Sequence, residues 1–149
     1  MKWTKDKSIN LSIACVCAFA LILLALDLSV VWSWVSGGRL SETHRQYLIM
    51  FTATVAFGSV CAWICLWALY RLLKNVQAGQ VFTEDTVRLL RIISWCCAGA
   101  AAVCLLSAAY AWPFLIVAIA AAFMMLIVRI VKNCFRQAID MKSELDLTI

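Results

Sequence analysis

Residues 92–128 read IISWCCAGAAAVCLLSAAYAWPFLIVAIAAAFMMLIV, a run of 37 residues without an Asp, Glu, Lys or Arg. The run is too long for a single transmembrane helix, because about 20 apolar residues are enough to cross a bilayer. Pro113, the only proline of the chain, lies near its middle and beside Trp112. Proline interrupts a helix, and tryptophan is enriched at the membrane–water boundary. The run therefore predicts a hairpin of two transmembrane helices, over about 92–111 and 114–133.

The composition indicates that the rest of the chain also lies in lipid. Hydrophobic residues make up 65% of the 149 residues and charged residues 14%, against roughly 45–50% and 25% in soluble domains. A soluble domain of this size could not bury so much apolar surface, so we expect one membrane domain over 1–149. The net charge of +5 comes from cations at the ends of the apolar runs. This placement is typical of membrane threading and of contact with anionic lipid, and it does not indicate direct nucleic-acid binding.

Two further apolar runs predict spans over about 9–35 and 47–70. The predicted fold class is therefore all-α, a polytopic membrane protein with four transmembrane helices. The first run follows a basic segment, as the apolar part of a signal peptide does, but it is longer than usual and has no clear small-x-small cleavage site. We therefore expect it to be retained as the first span.

Two segments outside the predicted spans carry most of the polar residues, the loop 71–91 and the tail 134–149. Within the loop, Gly79 is a plausible helix stop and Thr83 a plausible N-cap of the next helix. Apolar residues recur at helical spacing from Val131 into the tail. This spacing predicts an amphipathic extension of the fourth helix.

The distribution of cations predicts the orientation of the helices. Eleven of the 13 lysines and arginines lie near the amino terminus, in the loop 71–91 or beyond the fourth span. Only Arg39 and Arg45 lie on the other side, since the turn at Pro113 is uncharged. Because cytoplasmic loops carry an excess of Lys and Arg, we expect both termini in the cytoplasm and the tail as a cytoplasmic extension.

Asp27 is the one acidic residue inside a predicted span. Counted from Ile9 it lies about 27 Å along the helix at 1.5 Å per residue, near the outer edge of a hydrocarbon core about 30 Å thick. One interpretation makes Asp27 an ion or proton site, the default for an intramembrane acid. The alternative is a boundary carboxylate that is reached by water, by Arg39 or by Arg45.

The loop and the tail together suggest a docking surface for a soluble protein. The loop and the segment from Arg129 onward hold eight cations, with Phe82, Phe135 and Leu145 as apolar anchors. The alternative is that the cations only determine topology and attract anionic lipid. The residues to which we assign a hypothetical role in partner binding are Arg71, Lys74, Phe82, Arg88, Arg91, Lys132, Phe135 and Arg136.

No set of residues in the sequence specifies a reaction or a cofactor. The eight cysteines lie within predicted spans or at their inner ends, without a C-x-x-C or a metal-type Cys/His spacing, and we expect them to be packing residues. A single histidine cannot supply a nucleophile–base set. We therefore expect a protein that is not an enzyme and that holds no metal or cofactor.

Small residues recur in the third and fourth spans at intervals that allow helices to approach closely. They predict tight packing within the hairpin, with homodimerisation as the alternative. The residues are Ala98, Gly99, Ala101, Ala102, Ala118, Ala121 and Ala122.

Three segments of the chain resemble a known family. They are GQVFTEDTVRLLRIISWCC at 79–97, RIVKNCFRQA at 129–138 and DLTI at 146–149. They are similar to the YoaS-like bacterial membrane proteins, family 2975 of the domains of unknown function. The resemblance implies four spans in the bacterial cytoplasmic membrane, no established catalytic residues, and often a neighbouring gene for a small helix-turn-helix regulator.

Two functions are compatible with these patterns. The first is a non-enzymatic regulatory or signalling membrane protein whose loop and tail bind a cytoplasmic partner. In view of the resemblance, that partner would be a small helix-turn-helix transcription regulator. The second is a small transporter, or an accessory subunit of one, that uses Asp27.

Overall fold

The computed structural model of the chain describes residues 2–36, 42–80 and 82–148, with side chains from Asn10 onward in the first helix and from Arg45 onward in the second. These residues form four α-helices, which are α1 (Lys2–Ser36), α2 (Glu42–Gln77), α3 (Glu84–Ser107) and α4 (Pro113–Leu147). Each helix contains a stretch that is long and apolar enough to cross a membrane. The all-α fold is therefore confirmed for the described residues, with four helices that are long and apolar enough to span a membrane.

The helices extend beyond the predicted spans. The predicted loop 71–91 is mostly helical, because α2 continues to Gln77 and α3 begins at Glu84. Arg45, which we predicted to end a polar loop, already belongs to α2; the earlier part of that loop, with Arg39, lies outside the described residues. Hydropathy marks where a helix enters lipid, whereas backbone hydrogen bonds continue the helix into water, so the two boundaries differ.

The turn between α2 and α3 has the predicted glycine stop. Gly79 has a φ of +75°, in the left-handed region that glycine enters without a steric cost. Its N–H donates to the Val76 carbonyl at 3.1 Å, and the Gln80 N–H donates to the Asn75 carbonyl at 3.0 Å. These two bonds form a Schellman motif, which satisfies the last carbonyls of α2.

The turn between α3 and α4 confirms the predicted hairpin. The Ala111 N–H donates to the Ser107 carbonyl at 3.1 Å and closes the turn after α3 ends. Pro113 is the first residue of α4, a position at which the missing N–H costs no helical hydrogen bond. The Tyr110 ring packs edge-on against Tyr47 of α2, with ring centroids 5.8 Å apart.

Each helix packs against the next one in the chain. α1 contacts α2, α2 contacts α3, and α3 contacts α4, while no other pair of helices approaches closely within the described ranges. α4 reaches α2 only through side chains, such as Phe114 on Phe51 with ring centroids 6.1 Å apart. α3 is therefore central, and α1 lies at an edge of the molecule with α2 as its neighbour.

The molecule leaves most of its apolar surface uncovered. Its solvent-accessible area is 11122 Å² for a mass of 16.6 kDa, whereas a compact soluble protein of that mass would expose about 7,600 Å². Large exposed apolar side chains lie along all four helices. This exposure is unfavourable in water, and it is consistent with a protein for which lipid is the solvent.

The two ends of the molecule differ in chemistry. One end of the molecule holds the segment 78–83 and the last turns of α4, and we call it the basic end. The opposite end holds the turn 108–112, and we call it the aromatic end. The buried residues of α3 lie mainly toward the basic end, from Thr86 to Ser94. There Leu89 and Ile93 form a cluster with Ala68 of α2, against which Val128 of α4 packs. The basic end therefore has a hydrophobic core of its own.

The small residues serve two different interfaces. Ala118 is buried on α4, and α4 packs against α3, in agreement with tight packing within the hairpin. A Cβ added to Gly99 would lie 3.6 Å from the Cys61 Sγ, so this glycine faces α2. Small residues therefore pack closely at two interfaces, between α3 and α4 as predicted and also between α2 and α3.

Candidate functional site

The basic end brings the predicted loop and tail anchors into contact. Phe82, just before α3, packs against Phe135 of α4 with ring centroids 5.7 Å apart and an angle of 34° between the rings. Phe82 remains half exposed. The pair therefore joins the segment between α2 and α3 to α4 and still presents an apolar edge to a partner.

Three of the predicted cations converge on the neighbouring side of α3. The Arg71 guanidinium lies 5.4 Å from the centre of the Trp67 ring, a distance at which a cation–π interaction forms. A cavity of about 150 Å³ is lined by Trp67, Arg71, Asp85, Arg88, Leu89 and Ile92. A second cavity of about 150 Å³ is lined by Glu84, Asp85, Val87, Arg88 and Arg91.

The two cavities share Asp85 and Arg88. Two acidic side chains, Glu84 and Asp85, therefore lie beside Arg88 and Arg91 on this part of α3. We use the name docking platform for the surface formed by Arg71, Arg88 and Arg91 together with the Phe82–Phe135 pair.

The structure brings five of the eight predicted binding residues into the docking platform. Lys74 is exposed in the last turn of α2, and Lys132 and Arg136 flank Phe135 along α4. No hydrogen bond, ion pair or ring contact among the described side chains joins these three cations to the platform. They lie at the same end of the molecule and widen its positive surface.

α4 continues well past the length of a membrane span. Its 35 residues extend about 52 Å at 1.5 Å per residue, about 20 Å more than the hydrocarbon core of a bilayer. Its last turns expose Met141, Leu145 and Leu147. An uninterrupted helix that crosses the membrane directs these last turns away from the lipid.

Asp27 has a described partner on α2. The Trp63 indole N–H donates to the Asp27 Oδ2 at 3.2 Å. No ion pair between Asp27 and Arg45 is described, and Arg39 lies outside the described residues. Among the described side chains, the partner of this carboxylate is thus an indole from the neighbouring helix and not Arg45.

Asp27 lies inside the apolar stretch of α1, and Trp63 lies inside the apolar stretch of α2. The depth of the pair in a bilayer stays a prediction from the sequence, which places Asp27 near the outer edge of the hydrocarbon core.

Beside this pair lies an apolar groove of about 290 Å³ between α1 and α2. Its lining includes Phe19, Leu23 and Leu26 of α1 and Ala62, Cys65 and Leu66 of α2. Asp27 follows Leu23 by one helical turn on the same face of α1, and Trp63 directly follows Ala62. The hydrogen-bonded pair therefore adjoins lining residues of the groove along both helices.

A hydroxyl network connects α2 to the end of α3. Thr54 Oγ1 lies 2.7 Å from Ser107 Oγ and 2.6 Å from Tyr110 Oη. The Thr54 hydroxyl also donates to the Met50 carbonyl of its own helix at 3.0 Å. Thr54 and Ser107 are both buried, so the network satisfies polar groups that lipid could not satisfy.

Four cysteines gather between α2 and α3. Cys61, Cys65, Cys96 and Cys97 line a cavity of about 140 Å³ together with Gly58, Ala62 and Ala100. The thiols of Cys65 and Cys97 lie within interaction distance of each other. Across the described parts of the chain, no group of three or more His, Cys, Asp or Glu side chains is placed to hold a metal ion.

Several residues of these sites were not identified from the sequence. Trp67 could have been identified as a neighbour of Arg71, since it precedes Arg71 by one helical turn. Trp63 and the meeting of the four cysteines could not, because the sequence does not contain the register between neighbouring helices. The sequence did not distinguish Thr54 as a site residue either, since single hydroxyl residues occur throughout the spans.

The comparison with protein families gives one match. Residues 32–149 match the model of a family described as Protein of unknown function (DUF2975). The match covers more than three quarters of the chain, including α2, α3, α4 and the docking platform, and the chain belongs to this family. Asp27 precedes the matched range. No match was found among curated proteins or among solved structures.

Proposed function

We propose that this member of the DUF2975 family is a non-enzymatic regulatory membrane protein that holds a cytoplasmic protein at its docking platform. The observation that carries the proposal is the contact between Phe82 and Phe135, which joins the two segments that the cation distribution assigns to the cytoplasm. A surface with apolar and basic parts at one end of the molecule can bind a protein, whereas basic loops alone would only attract lipid.

The rigidity of the docking platform supports this function. The start of α3 is anchored by the buried side chains of Thr86, Val87, Leu89 and Leu90, while Arg88 and Arg91 on the same helix are exposed. A surface fixed in this way loses little conformational entropy when a partner binds. Cations that only determine membrane topology need no fixed arrangement, because they would act equally well in a flexible loop.

The length of α4 favours contact of the tail with a protein over contact of the tail with the lipid surface. If α4 crosses the membrane as one straight helix, Leu145 and Leu147 lie about 20 Å beyond the hydrocarbon core. Exposed apolar side chains in water at that distance favour contact with a protein. We therefore propose that the last turns of α4 continue the docking surface and that both termini are cytoplasmic in the bacterial inner membrane.

The chemistry of the docking platform defines the partner that it fits. Three arginines around an apolar pair suit a soluble protein with an acidic patch and an apolar pocket. The family resemblance associates such membrane proteins with neighbouring genes for small helix-turn-helix regulators, so a regulator of this kind is the first partner to test.

Site-specific photo-crosslinking in cells tests the proposal. A photoreactive benzophenone side chain at Glu84, beside the platform, should yield one discrete adduct with a cytoplasmic protein. The adduct should disappear in Arg88→Glu and in Phe135→Ala, because these changes remove the charge and the apolar anchor. Arg45→Glu is the matched control, since it reverses an exposed cation at the aromatic end and should leave the adduct unchanged.

Two results would contradict the docking function. One is an adduct that persists in both platform variants while their membrane insertion is normal. The other is an adduct that is lost equally in Arg45→Glu, which would indicate a general effect of charge on the membrane protein.

A second candidate function is a small transporter, or an accessory subunit of one, that uses Asp27. It is favoured by the Asp27–Trp63 hydrogen bond between two candidate spans, where a carboxylate can serve a translocated ion. Substrate flux into proteoliposomes should then be lost in Asp27→Asn. Unchanged flux in that variant would remove the only residue that motivates transport.

A further inference from the structure

The carboxylate of Asp27 belongs to the apolar stretch of α1 that is long enough to cross a membrane. One of its oxygens accepts the Trp63 indole hydrogen at 3.2 Å, and no Lys or Arg among the described side chains, which leave out Arg39, forms an ion pair with it. A carboxylate in a membrane-spanning helix is unfavourable unless it is paired. It can therefore serve as the counter-charge of a cationic ligand.

The groove beside Asp27 determines what kind of cation fits. Its volume is about 290 Å³, and its lining by Phe19, Leu23, Leu26, Ala62, Cys65 and Leu66 is apolar. An inorganic cation would leave this groove empty and would find too few oxygen ligands, because such ions take six or more. A neutral lipid chain would fill the groove but leave the carboxylate without a counter-charge.

We propose that α1 and α2 form a binding site for a lipophilic organic cation, such as a quaternary ammonium or phosphonium compound with apolar substituents. The apolar substituents occupy the groove, and the positive charge lies beside it against Asp27. The Trp63 indole holds the carboxylate in place and adds an aromatic face, which attracts organic cations.

The cation site belongs to the second candidate function, since it assigns a ligand class to the same carboxylate, and it is independent of the docking platform. Binding and transport are separable measurements. A protein that binds the cation in detergent but shows no flux in proteoliposomes would retain the site and exclude the transporter. A protein that binds no cation would exclude the site whatever the result of the flux assay.

Tetraphenylphosphonium and tetraphenylborate provide the test, because they have nearly the same shape and opposite charge. Binding of each ion to the purified full chain in mild detergent is measured by equilibrium dialysis. The wild-type protein should bind the phosphonium and prefer it over the borate. In Asp27→Asn the phosphonium affinity should fall about tenfold or more, because the counter-charge is lost.

Two further variants complete the test. The amide oxygen that Asp27→Asn introduces can still accept the Trp63 hydrogen bond, so this variant should fold, and gel filtration with circular dichroism checks this. Leu23→Trp fills the groove without changing a charge and should also abolish phosphonium binding. Asp140→Asn is the matched control, since it removes an acid from an exposed position on α4 and should bind like the wild type.

The proposal is overturned if Asp27→Asn binds the phosphonium as tightly as the wild type does. It is also overturned if the wild type binds both ions equally, which would identify the groove as an apolar surface that accepts any lipid-soluble molecule.

Discussion

Thr54 is the residue that holds the aromatic end together. Its hydroxyl lies within hydrogen-bond distance of Ser107 and Tyr110, which belong to α3 and to the turn that follows it. Apolar packing gives helices in lipid little preference for one register, because lipid tails are as apolar as the side chains. A buried hydroxyl network does specify a register, since displacement would leave its members without partners.

We predict that Thr54→Val destabilises the protein by about 0.5–1.5 kcal/mol. The valine has nearly the same shape but removes two hydrogen bonds between helices. The free energy of unfolding is measured by denaturant titration in detergent. Ser59→Ala is the matched control, because the Ser59 hydroxyl bonds only to the Ala56 carbonyl of its own helix at 3.0 Å. Equal stabilities of the two variants would show that the network does not hold α2 to α3.

Asp27 shows how far a residue-level prediction from sequence can reach. The sequence identified it as an intramembrane acid, and the structure keeps it inside a candidate span. Its partner could not be predicted, because the pairing of Asp27 with Trp63 depends on the register between α1 and α2. That register follows from side-chain packing between the two helices, which an apolar pattern does not encode.

The helix ends were more predictable than the helix contacts. Gly79 and Pro113 have strong local preferences, for positive φ in one case and for the first turn of a helix in the other, and both residues occupy the predicted positions. In the predicted loop 71–91, Arg71 lies before the helix stop at Gly79, and Arg88 and Arg91 lie after the N-cap position Thr83, so these charged residues belong to helices. Charge marks the membrane boundary, and it does not end a helix.

The interface between α2 and α3 can be tested through its cysteines. A variant that retains only Cys65 and Cys97 should form an intramolecular disulfide under copper-phenanthroline oxidation, since the two thiols lie within interaction distance. Non-reducing peptide mapping by mass spectrometry detects the product. A variant that retains only Cys17 and Cys97 is the control and should form no such bond, because α1 and α3 are not neighbours. Cross-linking in the control alone would contradict the order of the helices.

At the scale of the whole molecule, the four helices divide two kinds of chemistry between separate regions. The basic end has a hydrophobic core, the Phe82–Phe135 pair and the arginines Arg71, Arg88 and Arg91. The edge formed by α1 and α2 has an apolar groove and, next to its lining residues along the chain, the carboxylate of Asp27. Cys65 lies where the two regions meet, since it packs against the core of the first and lines the groove of the second.

The orientation of the whole molecule decides whether the docking platform can meet a cytoplasmic partner. Eleven of the 13 cations belong to the basic end and its flanking segments, so we predict that this end is cytoplasmic. Green fluorescent protein fused after Leu147 should be fluorescent, and alkaline phosphatase fused after Ala111 should be active, because the phosphatase folds only outside the cytoplasm. A phosphatase fusion after Gln80 is the internal control and should be inactive. The reverse pattern would exclude the docking function, since the platform would face the wrong compartment. The cation site would remain, because it depends on the contact between α1 and α2 and not on the side of the membrane that the basic end faces.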